Sequence, residues 1–153
     1  MRYVSVLLAV RDMERSKRFY REALGLGVAA DFGANVMLEG GISLQTEETW
    51  RQFIHAERVV FGHGAGEIYF EEADMEGFLR RLQALKVEYV HPLREHAWGQ
   101  RVIRFYDPDR HIIEVGEEMR GVVRRFWDHG MGPEQIAVRM DVPLEYVKQK
   151  LAE

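Results

Sequence analysis

Cysteine is absent from this chain of 153 residues, which excludes disulfides and thiolate metal sites and fits a cytoplasmic protein. Long apolar runs are missing too. No stretch approaches the roughly 20 residues needed to cross a bilayer, so no membrane partner is expected. The opening MRYVSVLLAVRD lacks a small-residue cleavage site and passes directly into a charged helix, so it reads as a strand and not as a signal peptide. Nor is there a basic surplus: the formal net charge is −4, and no global field draws the chain to nucleic acid or anionic lipid. No phosphate loop, nucleophile triad or redox motif is present. The composition, 46% hydrophobic and 30% charged, suits a soluble chain long enough for one core and a small appendage.

What is there is a repeat. Asp12-Met13-Glu14 reappears as Asp74-Met75-Glu76, each triplet between a strand-like stretch and an amphipathic helix. In the first half, Val4, Val6, Leu8 and Val10 alternate with Ser5, Leu7 and Ala9, as in a strand with one strongly apolar face. Asp12 can cap the helix that follows, and Gly25 can end it. Strands are expected near 28–32, 35–38 and 42–45. A connector over 47–65, with a short helix around Trp50 and Phe53, leads to a strand at 67–71. The stripe Met75, Phe78, Leu79, Leu82 and Leu85 predicts a second helix. Strands near 87–91, 101–106 and 112–115 complete the copy, with Asp107-Pro108-Asp109 as the turn between the last two. Both halves therefore read β-α-β-β-β. The shared offset places Ser5 in register with Glu67, and Ile42-Ser43-Leu44 matches Ile113-Glu114-Val115.

The expected fold is α+β: two βαβββ modules, over about 1–46 and 66–116, forming a curved mixed sheet with a concave cavity. A helical tail over 117–153 follows this 1–116 domain. Met119, Val122, Val123, Phe126 and Trp127 mark its first helix, with Trp127 expected to pack. Pro133 and Pro143 can open two more. The pair around Asp141-Val142-Pro143 resembles a helix-turn-helix, but the tail carries six basic residues against seven acidic ones. A reader of phosphates carries a basic surplus, so the tail is expected to pack on the domain or on a second subunit.

The wording AVRDMERSKRFYREALGL and RFYDPDRHIIEV, set in these modules, resembles the vicinal oxygen chelate superfamily of glyoxalase I, extradiol dioxygenases and the fosfomycin and bleomycin resistance proteins. The resemblance covers roughly residues 1–116 and leaves the tail outside. It implies metal ligands, typically His and Glu, on the first and last strands of each module, here Ser5, Ser43, Glu67 and Glu114. Only Glu114 keeps the usual residue. Serine hydroxyls are weak ligands for a cation that favours imidazole and carboxylate. The family habit also implies a homodimer.

Period-two alternation puts Val6, Ile42, Leu44, Ile68, Phe70, Ile103, Phe105, Ile113 and Val115 under the helices. It turns Asn35, Gln45, Glu67, Tyr69, His91, Arg104, Tyr106 and Glu114 toward the concave face. His96 lies in the loop 96–100 at its mouth, and Trp50 and Trp98 could stack on a ligand or simply close the domain. Three readings stay open. Glu67 and Glu114 could hold a divalent cation completed by Gln45, a histidine or water, as in a divergent glyoxalase-like lyase or isomerase. With no cofactor, the cavity could bind a small polar or aromatic molecule. Or Glu67, Glu114 and Arg104 could be a structural ion-pair network. In the enzyme reading Glu67, Glu114 and His91 are the catalytic candidates. His55, His63 and His129 read as solvated, and His111 as structural.

Overall fold

The computed structural model describes residues 1–153. The chain divides into two compact units, each with its own four-stranded sheet. The first comprises Met1–Glu67, Leu85–Glu88 and Tyr106–Ile112; the second comprises Ile68–Ala84, Tyr89–Phe105 and Ile113–Glu153.

In the first unit β1 (Val6–Val10) is followed by α1 (Met13–Leu24), β2 (Val28–Asp31), β3 (Asn35–Leu38), β4 (Ile42–Thr46) and α2 (Glu47–Phe53). The spatial order is β1-β4-β3-β2. The sheet is mixed: β1 runs parallel to β4, with Leu7 opposite Ser43, while β3 runs antiparallel to both β4 and β2. A parallel pair needs a long crossover, and α1 with the β2–β3 hairpin supplies it. The caps expected for α1 are formed. Asp12 accepts the Arg15 backbone N–H at 2.9 Å, an interaction typically contributing about 1 kcal/mol, and Gly25 ends the helix at φ +72°. Ser16, Tyr20 and Ala23 form its buried face, and Val10, Val36, Leu38, Ile42 and Leu44 are buried in the sheet. Fully burying one such large aliphatic side chain contributes about 1.5–3 kcal/mol.

The Asp107-Pro108-Asp109 turn is tied to α1 and to the end of β1. Asp107 accepts from the Tyr20 hydroxyl at 3.0 Å and from the backbone N–H groups of Asp109 and His111 at 2.9 and 2.8 Å. The His111 Nδ1 lies 2.8 Å from Oδ2, the oxygen that also takes the Tyr20 hydroxyl, while the two backbone N–H groups share Oδ1. Asp109 takes the backbone N–H and guanidinium of Arg11, both at 3.3 Å. The acidic residues of this turn are thus buried anchors as well as turn formers, and His111 is part of the anchor.

In the second unit β5 (Glu67–Glu72), α3 (Met75–Leu85), β6 (Tyr89–Glu95), β7 (Arg101–Tyr106) and β8 (Ile112–Glu117) give the order β5-β8-β7-β6. Asp74 caps α3 by accepting the Gly77 N–H at 2.8 Å. Met75, Phe78 and Leu82 are buried, and the Phe78 ring centroid lies 6.1 Å from that of Phe105. β6 departs from expectation: it starts and ends later than 87–91, and its register against β7 shifts on both sides of His91. It carries Pro92, which a sheet accommodates at an edge strand such as this one.

The tail forms α4 (Met119–Asp128), α5 (Pro133–Met140) and α6 (Leu144–Ala152) around a core of Val122, Val123, Phe126, Ile136, Ala137, Met140 and Val147. Two expectations are corrected. Trp127 does not pack; it is 45% exposed, because the inward stripe of α4 runs through Val122, Val123 and Phe126. Val6, at the first position of an edge strand, is exposed and not covered by a helix.

Candidate functional site

One face of the second unit's sheet gathers the polar residues that alternation set apart from the core. Phe105, which meets Phe78 of α3, is buried with Ile113 and Val115, and by alternation Arg104 and Glu114 turn to the opposite side of their strands. The Arg104 guanidinium forms an ion pair with Oε2 of Glu114, whose side chain is only 7% exposed. This ion pair is the one partner found for that oxygen, which makes no other bond. The second terminal nitrogen of Arg104 lies 3.2 Å from His91 Nε2, its cross-strand partner in the register. Guanidinium can only donate, so Nε2 must accept. Nδ1, 2.8 Å from the Pro92 carbonyl, then carries the proton and donates to it. The contacts therefore assign the ring proton of His91 to Nδ1. The result is a chain of Pro92 carbonyl, imidazole, guanidinium and carboxylate across three strands.

Farther along the same face Tyr69 of β5 lies over Gly116 of β8. A Cβ at Gly116 would come within 2.7 Å of the Gln100 amide and 3.1 Å of the Tyr69 ring. The strand glycine is thus a place where side chains approach the backbone closely. Gln100 is buried and donates to the Tyr69 hydroxyl at 2.9 Å and to the Glu117 carbonyl at 3.0 Å. Its oxygen accepts from the Trp98 indole at 3.3 Å. Tyr69 in turn donates to Glu71 at 3.0 Å. Burial raises its phenol pKa above the ordinary value; the Gln100 hydrogen bond opposes this and Glu71 adds to it. His96 stacks on Trp98, with centroids 4.2 Å apart. Tyr69 and Trp98 remain 47% and 39% exposed.

Most of the remaining candidates lie elsewhere. In the first unit Asn35 donates to the Gln45 side-chain oxygen at 2.9 Å, and Gln45, buried, donates to Thr49. Trp50 is half-exposed on α2. Tyr106 lies under the Arg110 guanidinium, 4.2 Å from ring centroid to Cζ. Glu67, exposed at the start of β5, alternates onto the same side of that strand as Tyr69. His55, His63 and His129 are all exposed. Gln100 and Gly116 were not singled out from the sequence. A glycine inside the apolar run Ile112–Val115 and Glu117 was the one available signal for close approach; nothing marked Gln100.

A divalent metal of the kind the fold implies does not suit this donor set. The hydroxyls of Ser5 and Ser43 bond to each other at 3.1 Å, and Glu114 is neutralised by Arg104. Within neither unit do three or more His, Asp or Glu side chains gather to hold an ion.

Two sheets in βαβββ order, with this polar face on the second, define a protein of the vicinal oxygen chelate type. The glyoxalase-like domain family matches residues 3–120, and the chain belongs to it. A structurally characterised protein of unknown function from Agrobacterium tumefaciens is 42% identical, with 77% of this chain and 94% of that one covered and a TM-score of 0.69. A glyoxalase/bleomycin resistance protein/dioxygenase from Nocardioides shares the fold at 19% identity, covering 76% and 83% of the two chains with a TM-score of 0.62. So does a lactoylglutathione lyase from Agrobacterium tumefaciens, at 22% identity, 76% and 92% coverage and a TM-score of 0.59. No protein of curated function matches the chain.

Proposed function

We propose that this protein binds a small polar or aromatic molecule on the face carrying Tyr69, His91, Arg104 and Glu114, with Trp98 and His96 at its margin, and that it does so without a metal. The observation that carries the reading is the Arg104–Glu114 ion pair. The one acid that keeps the family's usual residue at a ligand position already has a cation, and that cation is a side chain. The guanidinium carries five N–H donors in a planar fork, while the exposed Tyr69 and Trp98 rings offer stacking surface. Aromatic surface with a few convergent polar groups is the usual make-up of a small-molecule site. The absence of cysteine and of any helix long and apolar enough to cross a membrane supports a cytoplasmic placement. Exposed Tyr3, Val4 and Val6 beside an edge strand support a homodimer.

The test is ligand-observed NMR with benzoate, phenol and small aromatic amides as probes. Binding that is lost in both Arg104→Met and Tyr69→Ala supports the reading. No binding by any probe at millimolar concentration, or binding indifferent to both substitutions, contradicts it.

A further inference from the structure

The tail helices hold the loop between β6 and β7 from outside the segment that defines the family. Gly99, at φ +91°, packs directly against the Phe126 ring, and a Cβ there would overlap it. Arg125 donates to the Gly99 carbonyl at 2.5 Å, and Arg139 donates to the Ala97 carbonyl. Both arginines also reach Glu95, at 3.5 and 3.0 Å. Glu117, at the end of β8, accepts from Arg125 at 3.0 Å and from Arg101 at 3.1 Å. Three of the four loop positions from Ala97 to Gln100 therefore have their backbone or side chain fixed by the tail or by the strand that leads into it: Ala97, Gly99 and Gln100. Gln100 is the last of them, and its amide fixes the Tyr69 hydroxyl.

We propose that Arg125, Phe126 and Arg139 are positioning residues that act through the 96–100 loop and Gln100 to set the orientation of the Tyr69 phenol, and with it what the sheet face admits. All three lie beyond residue 120, where the family match ends. The arrangement is thus a feature of this chain's appended helices and not of the shared domain. The proposal depends on the binding reading above for its functional meaning. Its test needs no ligand, so the two can fail separately.

The readout is the ionisation of Tyr69, followed by NMR of isotope-labelled tyrosine in the full chain and assigned with Tyr69→Phe. The groups facing the phenol are Gln100, Glu71 and, from α6, Tyr146. A donated hydrogen bond stabilises the phenolate, so Gln100→Met raises the Tyr69 pKa. If the tail acts through Gln100, Arg139→Gln and Phe126→Leu raise it in the same direction. Neither then adds a further rise in the Gln100→Met background. A merely structural tail would lower stability and leave this titration where it stands in the wild type. Arg139 is partly exposed, so Arg139→Gln remains informative where Phe126→Leu fails to fold. An unmoved Tyr69 titration in folded Arg139→Gln, or a shift additive with that of Gln100→Met, overturns the proposal.

Discussion

Arg104 and Glu114 form an ion pair in which the carboxylate is almost wholly removed from solvent and the guanidinium is three-quarters covered. Breaking such a pair from one side leaves an uncompensated buried charge, whereas replacing both partners with apolar groups removes the desolvation cost with the attraction. Arg104→Met is therefore expected to lower stability by about 3–5 kcal/mol, and Arg104→Met with Glu114→Leu to recover most of the loss. Urea unfolding of the two variants measures this. Equal stability of the single variant and the wild type would mean that the pair is not what holds Glu114 inside.

Tyr20 offers a second test, in the other unit. Burial first, and then the negative charge of Asp107 that its hydroxyl bonds, hold its phenol pKa well above the ordinary value of 10. The folded state thus keeps this proton more tightly than the unfolded chain does. The associated stability is fully present below about pH 10 and is lost as pH climbs from there toward the folded pKa. Tyr20→Phe should cost about 1–3 kcal/mol at neutral pH, since Asp107 loses a donor, and should flatten the alkaline fall in stability. Denaturant midpoints measured at neutral pH and above pH 10 check both parts, and an alkaline slope that persists in the variant would assign it to another group.

Glu117 makes the opposite prediction at low pH. Burial pushes its carboxyl pKa up, but hydrogen bonds and charge from Arg125 and Arg101 more than offset this, and the net shift is below the ordinary 4.5. A depressed carboxyl pKa stabilises the fold above that ordinary value and ceases to as pH falls through the folded pKa. Hydrogen-exchange protection factors in α4 and in residues 96–100, corrected for the intrinsic pH dependence of amide exchange, should therefore fall on acidification below about pH 4.5, and Glu117→Gln should remove much of that pH dependence. Unchanged acid sensitivity in the variant would rule this anchor out.

Gly116→Ala is the sharpest packing test. The added methyl meets a buried amide that is committed to three hydrogen bonds and a tyrosine ring above it, so one of them must move. A loss of about 1–3 kcal/mol is expected, together with loss of the Gln100–Tyr69 hydrogen bond seen by NMR. Retention of both stability and that bond would show that the face has slack.

Much of this was legible in the sequence because it is local or periodic. Asp12 and Gly25 bracket α1 by capping chemistry, the Asp-Met-Glu repeat marks the second module, and alternation along β7 and β8 separates Arg104 and Glu114 from Phe105 and Ile113. The rest depends on contacts between distant segments. No local signal says that Arg104 would fall on Glu114 instead of leaving it to a cation, or that the hydroxyls of Ser5 and Ser43 would satisfy each other. The displaced boundaries of β6 reflect an edge strand bent around His91 and Pro92, which a simple alternation pattern cannot register. The exposed Trp127 shows the limit of a helical stripe: one position of rotation separates it from Phe126, which turns inward onto Gly99 and the core of the tail.

The account rests on a site whose cation is arginine, and metal content tests it most directly. Elemental analysis of protein purified without added metal, and again after equilibration with Zn²⁺, Ni²⁺ and Mn²⁺ followed by desalting, should find no stoichiometric ion in either sample. A metal bound at one per chain, and abolished by Glu114→Gln, would contradict it.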